Sequence, residues 1–159
     1  MPLTIRAATV DDVPLILAFI RRLAEFEQLL DEVTATEEKL RETLFPADGR
    51  GAAECRLAFH GDAPAGFAVF LINYSTFLAQ PGIHLEDLFV MPELRGRGIG
   101  KALLLDLARL ANARGCARME WTVLHWNQNA IEFYESIGAR RMPEWQICRL
   151  AGPALERLR

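Results

Sequence analysis

The stretch from Leu85 to Lys101 constrains this chain more than any other. A strand-like run closes at Pro92, a glycine-rich turn follows, and an amphipathic helix opens at Ile99. Gly96, Gly98 and Gly100 alternate through the turn. Lacking a Cβ, each lets a ligand approach the backbone closely. The turn also sits at a helix N-terminus, where unpaired N–H groups and the helix dipole favour an anion. A phosphate cradle therefore stands beside a strand that carries two adjacent acids, Glu86 and Asp87.

Two common phosphate motifs do not fit. A dinucleotide fingerprint needs a third glycine where Lys101 stands, and a P-loop needs other residues than Arg95 and Ala102 at two of its positions. What remains is Arg-x-x-Gly-x-Gly, made by Arg95, Gly98 and Gly100. On its own it also reads as an ordinary glycine-rich helix start. The strand adds a second signal. Simple alternation puts Glu86, Leu88 and Val90 on one face and Leu85, Asp87 and Phe89 on the other. Each face then holds one acid among apolar neighbours. An unpaired carboxylate is costly to bury, so at least one acid is expected to meet a cation, a polar pocket or a site.

The rest of the chain alternates strands and helices. Thr4 to Ala7 reads as a first strand, and Thr9 with Asp12 resembles a capping box. Val13, Ile16, Leu17, Ile20, Leu23 and Ala24 repeat at helical spacing, which predicts a helix to about Leu30. Thr34 and Glu37 form a second box before a shorter helix ending near Leu44. Strands are expected over 54–59 and 66–73, with a loop over 74–82 and the acidic strand over 84–90. A helix is expected from Ile99 to Ala113, a strand from Arg118 to Leu124, a helix from Gln128 to Ile137 and a last strand from Trp145 to Leu150. The fold class is α/β, in a single domain over residues 1–159.

Composition excludes several classes. Hydrophobic residues make up 51% and charged residues 25% of the 159, as expected of a soluble globular chain. A net charge of −3 gives no nucleic-acid footprint. No apolar run approaches membrane-spanning length and no signal-peptide layout opens the chain, so no membrane partner is expected. Cys55, Cys116 and Cys148 do not suggest a disulfide framework and fit a reducing, cytoplasmic compartment. His60, His84 and His125 lack metal-ligand spacing, so no metal is expected.

Arg95–Gly100, with Leu88-Phe89-Val90 before it, resembles the acetyl-CoA motif of the GNAT N-acetyltransferases. The chain is similar more closely to the diamine and thialysine acetyltransferase branch. The matching stretches are Ile5–Thr9, Leu23–Glu27, Tyr74–Phe77, Leu85–Gly100, Trp126–Gln128, and Phe133-Tyr134 with Gly138-Ala139. This resemblance implies a GNAT fold: a mixed central sheet, flanked by helices, in which two parallel strands splay apart around the cofactor arm. Leu88, Phe89 and Val90 would offer backbone hydrogen bonds to pantetheine. The turn of Gly96, Arg97, Gly98, Ile99, Gly100 and Lys101 would hold the pyrophosphate, with added charge from Arg95 and Arg97. Asn127 and Ala130 would contact the cofactor, although Asn127 is also a good helix N-cap.

The implied reaction is direct attack of a primary amine on the acetyl thioester, with no cysteine at a nucleophile position. An alkylamine has a pKa of roughly 10, so a proton must leave. Glu86 is the candidate base, through water, with Asp87 the alternative. Ala130, Phe133, Tyr134 and Ile137 share helical spacing and could be packing, but the match from Asn127 to Tyr134 favours Tyr134 as the family's general acid. Phe26 and Glu27 match a substrate-contacting pair. Ser75 stands where polyamine-preferring members carry an acid, and Glu144 is a further substrate candidate. The resemblance points to a lysine-like amine or diamine as acceptor and to a homodimer. Protein acetylation and a silent acetyl-CoA-binding module are the alternatives.

Overall fold

Residues 1–159 of the computed structural model form five strands and five α-helices. β1 (Leu3–Ala7) leads through a short turn to α1 (Val13–Phe26) and α2 (Glu37–Leu44). β2 (Glu54–His60), β3 (Ala63–Ser75) and β4 (Gln80–Val90) form a meander, followed by α3 (Ile99–Ala113) and the two-residue β5 (Met119–Glu120). α4 (Gln128–Ser136) and α5 (Gly152–Glu156) complete the chain. Two compact units result, Met1–Thr122 and Val123–Arg159.

The first unit is a five-stranded sheet in the order β1-β2-β3-β4-β5, antiparallel except for the parallel β4–β5 pair. Neighbouring residues of β3 point to opposite faces. Phe67 and Val69 join Val13, Ile16, Leu17, Phe19 and Leu40 of α1 and α2 in one buried cluster. Ala68 and Phe70 are equally buried on the other face, which α3 covers. Arg56 of β2 ties α3 to that face through Asp106, with Nε 2.7 Å from the carboxylate.

Local chemistry fixes the helix ends. The Thr9 N–H donates to Asp12 at 2.8 Å, and Arg6 grips the same carboxylate, holding it down to about 2. This box caps a single 3₁₀ turn, and α1 begins at Val13 with Pro14 in its first turn. α1 stops at Phe26 rather than near Leu30. Gln28 takes a left-handed conformation (φ 60°), Leu29 N–H returns to Ala24 O at 2.8 Å, and Gln28 N–H returns to Glu25 O at 3.1 Å. Those two bonds close a Schellman motif with glutamine in glycine's usual place. The second expected box also shifts. Thr36, not Thr34, caps α2, its side chain accepting from Lys39 N–H.

Three further expectations change. Residues 74–82 are mostly not a loop, because β3 and β4 extend to a hairpin whose turn is only 76–79. The strand expected over Arg118–Leu124 reduces to Met119–Glu120. The strand expected over Trp145–Leu150 does not form, and those residues are exposed. The second unit contains no other strand for them to pair with, and an isolated strand is not stable alone.

Candidate active site

β4 has two unlike halves. Near its start it is paired on both edges: with β3, and with β5 through Ile83↔Met119 and His84↔Glu120. Ala117 N–H to Pro81 O (2.9 Å) and Ile83 N–H to Arg118 O (3.0 Å) extend that contact. Past His84, no strand lies along the β5 side, so the edge from Leu85 to Val90 is open. This is the parting of parallel strands that the fold class anticipates.

The register slips where the edge opens. Val69 faces Asp87 but Phe70 faces Leu85, leaving Glu86 as the extra residue of a bulge. Directly opposed residues share a face. Asp87 therefore lies on the α1 face with Val69, and Leu85 lies on the α3 face with Phe70. The simple alternation, which grouped Leu85 with Asp87, fails here. Glu86 also turns to the α1 side. Its Oε2 is 3.2 Å from His84 Nε2, and His84 faces Leu71, which shares its side with Val69. One extra residue thus brings both acids to one face.

The two carboxylates differ in environment. Glu86 reaches water, its side chain 59% exposed. Asp87 is half-buried, and burial, with the nearby charges of Glu86 and Glu27, pushes its pKa up to about 6. Glu27 closes α1 at the Schellman turn, and desolvation raises its pKa as well. Asp87 thus feels the charges of both other acids, yet the three are not gathered closely enough to ligate one metal ion. Phe26, beside Glu27, is part-exposed.

The bulge also resets the backbone. Met91 N–H donates to Ala65 O at 2.9 Å, so Phe89 turns its backbone groups to β3. Leu88 and Val90 turn theirs to the open edge. Of the three residues expected to bind pantetheine through the main chain, these two have the geometry for it.

The turn after β4 has an anion-binding shape. Gly96 (φ 75°) and Gly98 (φ 78°) are both left-handed, and a Cβ on either would point into open space. Gly98 caps α3, and the helix's first internal bond is Ala102 N–H to Gly98 O at 2.9 Å. The amides of Ile99, Gly100 and Lys101 consequently have no acceptor inside the helix. Exposed Arg97 and Lys101 flank them and form no ion pair. Alternating left-handed glycines at a helix N-terminus with two unpaired cations fit a pyrophosphate. Arg95 behaves differently. Its Nε donates to Val90 O at 3.0 Å, and its guanidinium stacks over Phe26 and Phe89.

Other candidates fall elsewhere. Ser75 is buried at the far end of β3, its Oγ accepting from Leu78 N–H within the hairpin turn. It lies six residues along β3 from Val69, the partner of Asp87, or about 20 Å. Within one chain it does not join the acids. In the second unit, Asn127 caps α4 by accepting from Ala130 N–H at 3.3 Å. That bond engages the Ala130 amide as well. Tyr134 is half-buried beside Phe133, with ring centroids 5.4 Å apart, while Ile131 is the buried residue of the helix. Ile137 is 38% exposed, so the expected packing stripe is not the buried face of α4. Glu144 is exposed.

The sequence comparisons bear on this geometry directly. The model of the Acetyltransferase (GNAT) family matches residues 20–139. The chain belongs to the GNAT acetyltransferase family. A thialysine N-epsilon-acetyltransferase of Caenorhabditis elegans is 36% identical over 94% of this chain and 92% of its own length. An L-ornithine N5-acetyltransferase of Arabidopsis thaliana is 34% identical over 96% of this chain and 86% of its own. A solved integron cassette protein from the V. cholerae mobile metagenome matches with a TM-score of 0.81 and 28% identity, over 99% of this chain and 98% of that one. This GNAT protein is an acetyl-CoA-dependent N-acetyltransferase whose acceptor is a primary amine.

Two features escaped the sequence reading. The Glu86 bulge left one trace, since adjacent acids interrupt an otherwise alternating strand. The stacking of Arg95 left none, because Phe26 lies 69 positions earlier in the chain.

Proposed function

We propose that the acceptor is a short diamine or lysine-like amino acid, held by Glu27, Glu86 and Asp87. The observation that carries this reading is the bulge at Glu86, which turns Glu86 and Asp87 to the α1 side, where Asp87 also feels the charge of Glu27. Like charges this close are relieved by a cation, and a carboxylate in a part-desolvated pocket attracts one more strongly than water allows. Thialysine and ornithine, which the relatives' names give as their substrates, each carry two amines.

Acetyl-CoA supplies the acetyl thioester. The open-edge amides and carbonyls of Leu88 and Val90 bind its pantetheine arm, and the amides from Gly96 to Lys101 bind its pyrophosphate. Glu86 accepts the ammonium proton through water, as the acid that reaches solvent. A second reading makes Asp87 the base, because a carboxyl near pH 6 is well matched to that task. Tyr134 gives its proton to the departing thiolate sulfur and recovers one as the attacking nitrogen sheds its second proton through solvent, and Asn127 and Ala130 shape the cofactor contact. Attack is direct, in keeping with a Cys55 thiol that burial pushes up to about 12. The two units act as one catalytic domain, which the family match across residues 20–139 supports.

The protein works as a cytoplasmic homodimer in this reading. Its hairpin tip exposes Ile72, Tyr74, Phe77 and Leu78, an apolar surface suited to a second copy. Ser75 and Glu144 then take part in binding substrate only where the subunits meet.

The test compares kcat/KM for thialysine, lysine, ornithine, a short diamine and spermidine at one salt concentration. Short diamine-like acceptors should lead, because Ser75 provides no acid for a long polyamine. A preference for spermidine would overturn the acceptor assignment. Failure of every small amine, with acetyl-CoA still bound, would shift the assignment to peptide acetylation or cofactor sensing.

A further inference from the structure

Arg95 opens the cofactor turn, yet its side chain leaves it. The Nε–H donates to Val90 O at 3.0 Å, on the open edge of β4. The guanidinium carbon lies 5.5 Å from the Phe89 ring centre and 4.6 Å from that of Phe26. Phe89 belongs to the buried cluster under α1. Phe26 is the last residue of α1, immediately before Glu27. One side chain thus touches the cofactor edge, the core and the wall of the acid cluster.

We propose that Arg95 is a positioning residue that ties the cofactor turn to the amine pocket, by holding Phe26, and with it Glu27, against the open half of β4. This rests on the reading of Phe26 and Glu27 as part of that pocket. The contact requires arginine. A planar guanidinium can stack on an aromatic face while its edge donates to a carbonyl, whereas a lysine ammonium is a point donor that does not stack. The anchor is needed because the helix ends just there. Gln28 is left-handed at φ 60° and Phe26 is 39% exposed, so the last side chain of α1 lies at the surface, where the Arg95 guanidinium covers it. The tie does not deprive the pyrophosphate of charge, since Arg97 and Lys101 stand at the turn outside any ion pair.

A double-mutant cycle tests this on the full chain, using Arg95→Lys, Phe26→Leu and the double variant. Steady-state kinetics with thialysine give KM and kcat for the amine. Calorimetry gives the acetyl-CoA Kd, and thermal melts verify folding. Each single variant should raise the amine KM about tenfold, within the range of a part-desolvated cation–π contact. The acetyl-CoA Kd should stay within about twofold, and the double variant should be no worse than the worse single, because the two residues share one interaction. Loss of acetyl-CoA affinity in Arg95→Lys with an unchanged amine KM would overturn the proposal and make Arg95 a pyrophosphate ligand. Multiplying effects in the double variant would also overturn it. If Phe26→Leu raises the amine KM but Arg95→Lys does not, the tie fails and the pocket stands. If Phe26→Leu leaves the amine KM unchanged, the pocket reading itself fails, and the tie with it.

Discussion

The two halves of β4 belong to one continuous strand and differ in what flanks them. The first half, Gln80 to His84, has β3 on one side and backbone bonds to residues 117–120, ending in β5, on the other. The second half, Leu85 to Val90, has β3 on one side and an open edge on the other. The Glu86 bulge marks the change. It turns Leu88 and Val90 outward along the edge and both acids toward α1. A strand becomes a binding element when one neighbour leaves and one residue is added, without change of secondary structure. Substitutions in the closed half should therefore reduce stability, and those in the open half should reduce binding or turnover.

The largest effect should come from the closed half. Ile83 is fully buried between β3 and β5, and Ile83→Ala should cost about 2–5 kcal/mol in denaturant unfolding. The kcat of the fraction that remains folded should stay near wild type. A stable Ile83→Ala variant with poor turnover would break the division between the halves.

In the open half, Glu86→Gln should lower kcat about 10²-fold at neutral pH, with the melting temperature nearly unchanged. Asp87→Asn is the matched comparison. A larger catalytic loss there would make Asp87 the base. The same variant should also change stability in a pH-dependent way. The folded-state pKa of Asp87, about 6, lies above its ordinary value of 3.8, so ionising it opposes folding as pH rises through that window. Asp87→Asn should stabilise the protein at pH 7–8, by up to about 3 kcal/mol. The gain should vanish toward pH 4, where the native aspartate is already neutral. Melts at both pH values measure it.

The smallest effect sharpens the picture at the turn. Gly100 lies inside α3, and a Cβ there would make only an ordinary 3.7 Å contact with Val90 Cγ2. Gly100→Ala should fold at least as well as wild type, gaining up to about 1 kcal/mol of helix propensity. On the proposed binding mode it should still bind acetyl-CoA about tenfold more weakly by calorimetry, because the added methyl group crowds the turn proposed to hold the pyrophosphate. Gly98 is a less clean probe, since its left-handed φ of 78° adds backbone strain to any substitution.

Much of this is legible in the amino-acid sequence. The glycine turn, the span of α3 and the two acids of β4 all follow from local patterns: turn chemistry, 3.6-residue periodicity and charge within an apolar strand. Most of the features that failed depend on partners distant in sequence, and one on a local exception. The Trp145–Leu150 run has a strand's alternation, but pairing needs a neighbouring edge, which residues 123–159 do not contain. The bulge is a matter of register between β3 and β4, which neither strand specifies alone. The stop of α1 at Phe26 depends on a glutamine taking a glycine's conformation. The distance of Ser75 from the acids is set by the length of the β3–β4 hairpin, which local similarity does not specify.

The most direct test of the bulge pair as the proton acceptor is the pH dependence of kcat/KM for thialysine, in wild type and in Glu86→Gln and Asp87→Asn. Burial, with the nearby charges of Glu86 and Glu27, lifts the pKa of Asp87 to about 6, so replacing either acid of the bulge changes that ionisation. We expect the wild-type rate to fall as pH drops through about 6, and that acidic limb to be displaced or lost in both variants. A wild-type profile with no acidic limb between pH 5 and 8, or a limb that neither substitution moves, would contradict it.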